Sequence, residues 1–114
     1  MLNQTVLVGR LTKDPELIET ENEKKVLAVT LAVQRPFKNP DGLYDTDFIR
    51  CIMWNNIAEA ACEYCHKGDV VGVKGRIQAS SYEDKDGNTK YVTEVVAEKI
   101  TFLSSRKPDI EEEQ

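Results

Sequence analysis

Strict alternation of side-chain type is what most constrains the fold of this 114-residue chain. Leu27, Val29, Leu31 and Val33 alternate with Ala28, Thr30, Ala32 and Gln34. Residues two apart share one face of a strand, so this stretch has one aliphatic face and one of small or polar groups. A second stretch alternates with a different result. Phe48, Arg50, Ile52 and Trp54 share one parity, while Ile49, Cys51 and Met53 share the other. The second set suits a core. The first places two large rings and a guanidinium together, which suits unstacked bases and the phosphates between them.

A similar composition recurs twice. Lys74, Arg76, Gln78, Ser80 and Tyr82 form a polar, basic face ending in an aromatic, backed by Val71, Val73, Gly75 and Ile77 as a core stripe. Arg35, Pro36, Phe37 and Lys38 put a ring between two cations in an expected loop. Taken singly, each aromatic reads as a core residue and each cation as ordinary surface. Three clusters of one composition favour a binding surface.

The remaining segments order themselves around these. Residues 5–10 alternate about Val6 and Val8 and predict a first strand, with Gly9 as a bend. Residues 35–44 contain Pro36, Pro40 and an Asp41-Gly42 pair, and predict irregular structure. Asn55 or Asn56 opens a helix over 57–65, with Ile57, Ala61 and Tyr64 at helical spacing and Lys67-Gly68 as its stop. Residues 70–80 predict a long strand, and Asp86-Gly87-Asn88 a hairpin turn into a strand over 91–103. The order is three strands, one helix, two strands. That order predicts an all-β OB-fold, a five-stranded Greek-key barrel with its helix between strands 3 and 4. In such a barrel Phe37, Phe48, Trp54 and Tyr82 would all fall on the ligand surface formed by strands two and three and the adjoining loops.

The formal charge of −5 argues against a partner held by a whole-protein field. Residues 105–114 hold two of the 15 basic and four of the 20 acidic groups, so residues 1–104 remain slightly acidic. The acids cluster at 16–23, 41–47, 83–86 and 111–113, away in sequence from Arg50, Lys74 and Arg76. Exposed charges act over about 10 Å in ordinary salt, so placement outweighs the net value. No stretch approaches the roughly 20 apolar residues of a membrane span, so no membrane role is expected. The N-terminus shows no charged n-region or cleavage site, and an intracellular protein with reduced cysteines is expected.

The chain resembles the bacterial single-stranded DNA-binding proteins. The resemblance is carried by residues 3–16 (NQTVLVGRLTKDPE), 29–33 (VTLAV), 63–68 (EYCHKG), 73–77 (VKGRI) and 91–97 (YVTEVVA), in the family's order. It implies a cytoplasmic, nucleoid-associated homotetramer that binds single-stranded DNA without sequence preference in replication, recombination and repair. It also implies that bases stack on Phe37, Phe48, Trp54 and Tyr82. Several members carry tryptophan at the sites of Phe37, Phe48 and Tyr82 and phenylalanine at that of Trp54. Phosphates would meet Arg10, Arg35, Arg50, Lys74 and Arg76; Arg50 and Arg76 share strand parity with an aromatic, whereas Arg10 and Arg35 rest mainly on the resemblance.

Typical members end in a long Gly/Gln/Pro-rich linker and an acidic Asp-Asp-Asp-Ile-Pro-Phe tip. Here residues 109–114 are acidic without a terminal Pro-Phe, which makes recruitment of partners through such a tip doubtful. A short chromosomal, phage or plasmid form and a truncated longer one both fit. The expected organisation is a domain over 1–104 and a short, acidic, disordered tail over 105–114.

Two other constellations compete. Cys62-Glu63-Tyr64-Cys65-His66 matches the C-x-x-C-H pattern of covalent haem attachment, but no export signal accompanies it. Cys51, Cys62, Cys65 and His66 total four zinc ligands, but Cys51 has core parity. Cys62 and Cys65 read instead as small helix residues, one buried and one partly exposed, and no cofactor or metal is expected. With His66 the only histidine, and no Walker-type loop or plausible carboxylate pair, catalysis is not expected. An OB-fold used as a protein-interaction module of a replication-restart type of assembly is the alternative function, kept open by the acidic balance.

Overall fold

A computed structural model describes residues 1–104. Its elements are β1 (Thr5–Leu11), β2 (Ile18–Glu19), β3 (Lys25–Lys38), β4 (Tyr44–Trp54), α1 (Asn55–Tyr64), β5 (Val70–Glu83) and β6 (Thr89–Ser104). The strands run β1-β5-β6-β4-β3-β2, and a further β1–β3 pairing closes five of them into a barrel. Neighbours are antiparallel except β4 and β6, which pair in parallel through Cys51–Val95 and Ile52–Val96. This is the OB-fold, with α1 between the long strands β4 and β5.

Alternation decides what goes inside. Leu27, Val29 and Leu31 of β3 oppose Met53, Cys51 and Ile49 of β4 in register, and Val71 and Val73 of β5 complete the aliphatic wall. Leu27, Leu31, Cys51, Met53 and Val73 are fully buried. Ala58 and Ala61 of α1, with Cys65 just beyond it, cap one end of this core. Small residues there let the helix backbone approach the strands closely. Two glycines allow the strands to close. A Cβ on Gly9 would lie 2.8 Å from the Ala32 carbonyl oxygen, where β1 meets β3. One on Gly75 would lie 2.0 Å from that of Val96, at the β5–β6 register shift.

Several expectations need correction. Residues 35–44 are not irregular throughout: β3 continues to Lys38 and β4 begins at Tyr44, leaving only 39–43 as the turn. Pro36 is accommodated because the register shifts between Gln34 and Lys38, where a ladder donor is not required. The turn itself is built by Asn39, whose Oδ1 accepts the N–H groups of Asp41 (2.9 Å) and Leu43 (3.0 Å), with Gly42 at φ +81. Ile77 is not core; it is 48% exposed because β5 and β6 run past the barrel as a two-stranded arm. That arm turns at residues 84–88, where Asp84 Oδ1 accepts the N–H groups of Asp86 and Asn88 and Gly87 has φ +79.

Nor does Tyr64 face the core: it is 60% exposed and tilts against Phe102, ring centroids 5.7 Å apart. The helix starts at Asn55 itself, whose φ of +50 turns the chain sharply out of β4. It ends at Tyr64, before the expected Lys67-Gly68 stop, and the Cys65 N–H closes it on the Ala61 carbonyl. The short strand β2, pairing Ile18 with Val26 and Glu19 with Lys25, has no counterpart in the predicted order. The expected tail over 105–114 lies outside the described residues.

Candidate nucleic-acid interface

Register places most of the predicted site residues on one outer surface. Across β3–β4, Ala32 opposes Phe48, Thr30 opposes Arg50, Ala28 opposes Ile52 and Val26 opposes Trp54. Phe48 is 67% and Trp54 41% exposed, although both belong to a strand whose other face is sealed. Both rings point away from the barrel interior, and Ala32 opposite Phe48 is too small to cover its ring. Exposed aromatics in a row with a guanidinium have the composition that suits base stacking.

The surface continues to both sides. Arg10 of β1 opposes Ala32 of β3, extending the row that holds Phe48. Its Nη1 donates to the Gly68 carbonyl at 2.8 Å, which holds the guanidinium at the rim between β1 and the α1–β5 connection. On the other side, Ile52 neighbours Val96 of β6, and Val96 opposes Arg76 of β5. Arg76, Gln78, Ser80 and Tyr82 therefore share the outer face of β4, with Tyr82, 56% exposed, well out along the arm. Lys74 is exposed on the same strand but lies on the β1 side, between Val6 and Lys99 in register.

The β3–β4 hairpin is arranged differently. Phe37 is 61% exposed beyond the register shift. Arg35 does not flank it as a free cation. Its Nε and Nη2 bind the Asp47 carboxylate at 2.9–3.2 Å, and Nη1 stands 3.8 Å from Asp45. Hydrogen bonds from the Arg35 guanidinium hold the Asp47 carboxyl below its ordinary range. Asp47 opposes Val33, so by alternation the pair sits on the side of the hairpin away from Phe48. The structure thus gathers Arg10, Phe48, Arg50, Trp54, Arg76 and Tyr82 on the outer face, and sets Arg35 apart.

Sequence reasoning passed over three contributors. Tyr44, 47% exposed, has the parity of Phe48 and Arg50 and carries Lys38 Nζ 5.8 Å from its ring centre. Extending the alternation backwards from Phe48 would have found it. Ala28, Thr30 and Ala32 were visible as the small face of β3, and their opposing register gives them their role. The third is Glu94 of β6, which engages Arg50; nothing in the local sequence marks it.

The cysteine–histidine cluster does not converge. Cys65 is buried and Cys51 sits inside the barrel, and burial pushes both thiols up to about 11. His66 points outward, its Nδ1 3.8 Å from Asp69. Among the described residues, no three of His, Cys, Asp and Glu come together as a metal site. No described helix is long and apolar enough to cross a membrane.

Comparison with known proteins identifies the family. The model of the single-strand binding protein family matches residues 2–103. Single-stranded DNA-binding protein 3 of Listeria innocua is 50% identical over 107 residues, which cover 94% of this chain and 67% of that protein. The single-stranded DNA-binding protein of Oceanobacillus iheyensis is 50% identical over 106 residues, 93% of this chain and 66% of its own. Single-stranded DNA-binding protein B of Bacillus subtilis is 49% identical over 106 residues, 93% of this chain and 94% of its own. The chain therefore spans about two thirds of the first two relatives and nearly all of the third.

Proposed function

Since the chain belongs to the single-strand binding protein family, we infer that it binds single-stranded DNA without sequence preference, through the outer face of β3, β4 and β5. The carrying observation is that Phe48 and Trp54 stay exposed on a strand whose opposite parity buries Cys51 and Met53 completely. Bases stack on Phe48, Trp54 and Tyr82, and on Phe37 from the hairpin, each contributing roughly 1–3 kcal/mol. Arg50, Arg76, Lys74 and Arg10 meet phosphates, as does Arg35 once it leaves Asp47. The protein works by covering unpaired strands in replication, recombination and repair, without catalysis, in the cytoplasm at the nucleoid.

Assembly as a homotetramer belongs to the same reading. It is supported by apolar side chains left uncovered: Val6 and Val8 along β1, and Tyr91, 81% exposed, on the arm.

Titration with oligo(dT) while following tryptophan fluorescence tests the function, because Trp54 is the only tryptophan. Strong quenching by the single strand and little by duplex is expected, and light scattering should give four protomers per particle if the assembly is right. Absence of quenching at low salt would leave Trp54 without a base and turn attention to a protein-interaction role.

A further inference from the structure

Arg50, the central cation of the stacking face, is already engaged. Its Nε donates to Glu94 Oε2 at 2.6 Å. The Glu94 side chain is only 15% exposed, against 55% for Arg50. Glu94 also opposes Gln78 across β5–β6, and Gln78 Oε1 accepts from Arg76 Nη1 at 2.8 Å. Glu94 thus lies between Arg50, which it binds, and the Gln78–Arg76 pair across the β5–β6 ladder. We propose that Glu94 is a positioning residue that competes with phosphate for Arg50 and so limits the affinity of the surface for single strands. The proposal rests on the single-strand-binding reading.

The competition follows from geometry. The Nε–H of Arg50 can point at the Glu94 carboxylate or at a phosphate oxygen, but not fully at both. When a strand takes the arginine, a largely buried carboxylate loses its charged partner and faces incoming phosphates of the same sign. That cost is subtracted from every phosphate contact Arg50 makes. Stacking carries no such cost, so the rings hold the strand while the arginine exchanges partners. One ion pair is then traded for another, and the salt dependence is shallower than a free arginine would give.

Glu94→Gln tests this, because it keeps the shape and an acceptor for Arg50 while removing the charge. The variant is expected to bind oligo(dT) about three- to tenfold more tightly at low salt, the range of a partly exposed ion pair. Its log–log salt slope should be steeper by up to about 0.7. In an Arg50→Ala background the same substitution should do little, since no arginine remains to release. Glu63→Gln on α1 makes the same change in net charge away from this face and should alter binding less than about twofold.

Unchanged or weaker binding by Glu94→Gln, an equal gain from Glu63→Gln, or a gain that persists without Arg50 would each overturn the proposal. If thermal unfolding shows Glu94→Gln to be misfolded, Glu94→Asp, which draws the carboxylate back from Arg50, should give a smaller gain in the same direction; no gain would overturn it equally. Failure of the unsubstituted protein to bind oligo(dT) at all would instead overturn the function itself.

Discussion

The two faces of β4 hold residues of similar hydrophobicity and meet opposite fates. Ile49, Cys51 and Met53 meet Leu31, Val29 and Leu27 across the β3–β4 ladder, and both Cys51 and Met53 are fully buried. Phe48, Ile52 and Trp54 meet Ala32, Ala28 and Val26, and both rings remain exposed. The difference lies less in the side chains of β4 than in which face the closed barrel encloses. A large apolar residue becomes core where the barrel closes over its face, whatever the partner: Trp54 beside Val26 stays exposed on the outer wall, while Cys51 beside Val29 is sealed inside.

Substitutions can break or sharpen this contrast. The largest effect is expected from Met53→Ala, which leaves a cavity in the sealed face and should destabilise the fold by about 2–5 kcal/mol in chemical denaturation. A loss below 1 kcal/mol would mean that the inner face is not tightly packed. The buried thiol next to it gives a pH test. Burial raises Cys51 from 9.0 to about 11, so the folded state favours the protonated form. Its contribution is fully present below pH 9 and is lost as pH rises through about 11. Cys51 should therefore lower the unfolding free energy by about 2 kcal/mol across that window; Cys65 is raised to the same value, so Cys51→Ala should remove only the Cys51 share of the fall.

On the outer face the signature reverses. Trp54→Ala should cost roughly 1–3 kcal/mol in oligo(dT) binding while shifting the denaturation midpoint little. If instead stability falls by several kcal/mol and binding holds, the two faces are not different in kind. Arg50→Ala should weaken binding least. Its measure is the salt dependence, expected to flatten by at most about 0.7, and by less than that if Glu94 already holds the arginine.

Much of this was legible in the sequence. Period-two alternation located β3, β4 and the inner part of β5, and the parity of Phe48, Arg50 and Trp54 against Cys51 and Met53 separated the exposed face from the buried one. The failures share a cause. Pro36 and Gly42 signal a break, yet a register shift absorbs the proline and Asn39 closes a tight turn, so β3 and β4 run on through the hairpin. Ile77 has the parity of a core residue, but the barrel ends before it and the arm has no core to face. Tyr64 has helical spacing with Ala61, but α1 sits at the rim, where Ala58 and Ala61 are buried, Ile57 and Cys62 pack partly against the core, and Tyr64 points outward.

The sequence alone determined the all-β class, the place of the helix and which residues of each strand belong together, because alternation is a local property of the chain. Tertiary structure decided where each face ends, which rings stand open and which cations are already paired. Closing β1 onto β3 creates the inside against which a face can be buried. Glu94 reaches Arg50 only because β6 lies beside β4 in parallel, 44 residues away along the chain. No window of sequence spans that distance, and only the folded sheet brings the two charges together.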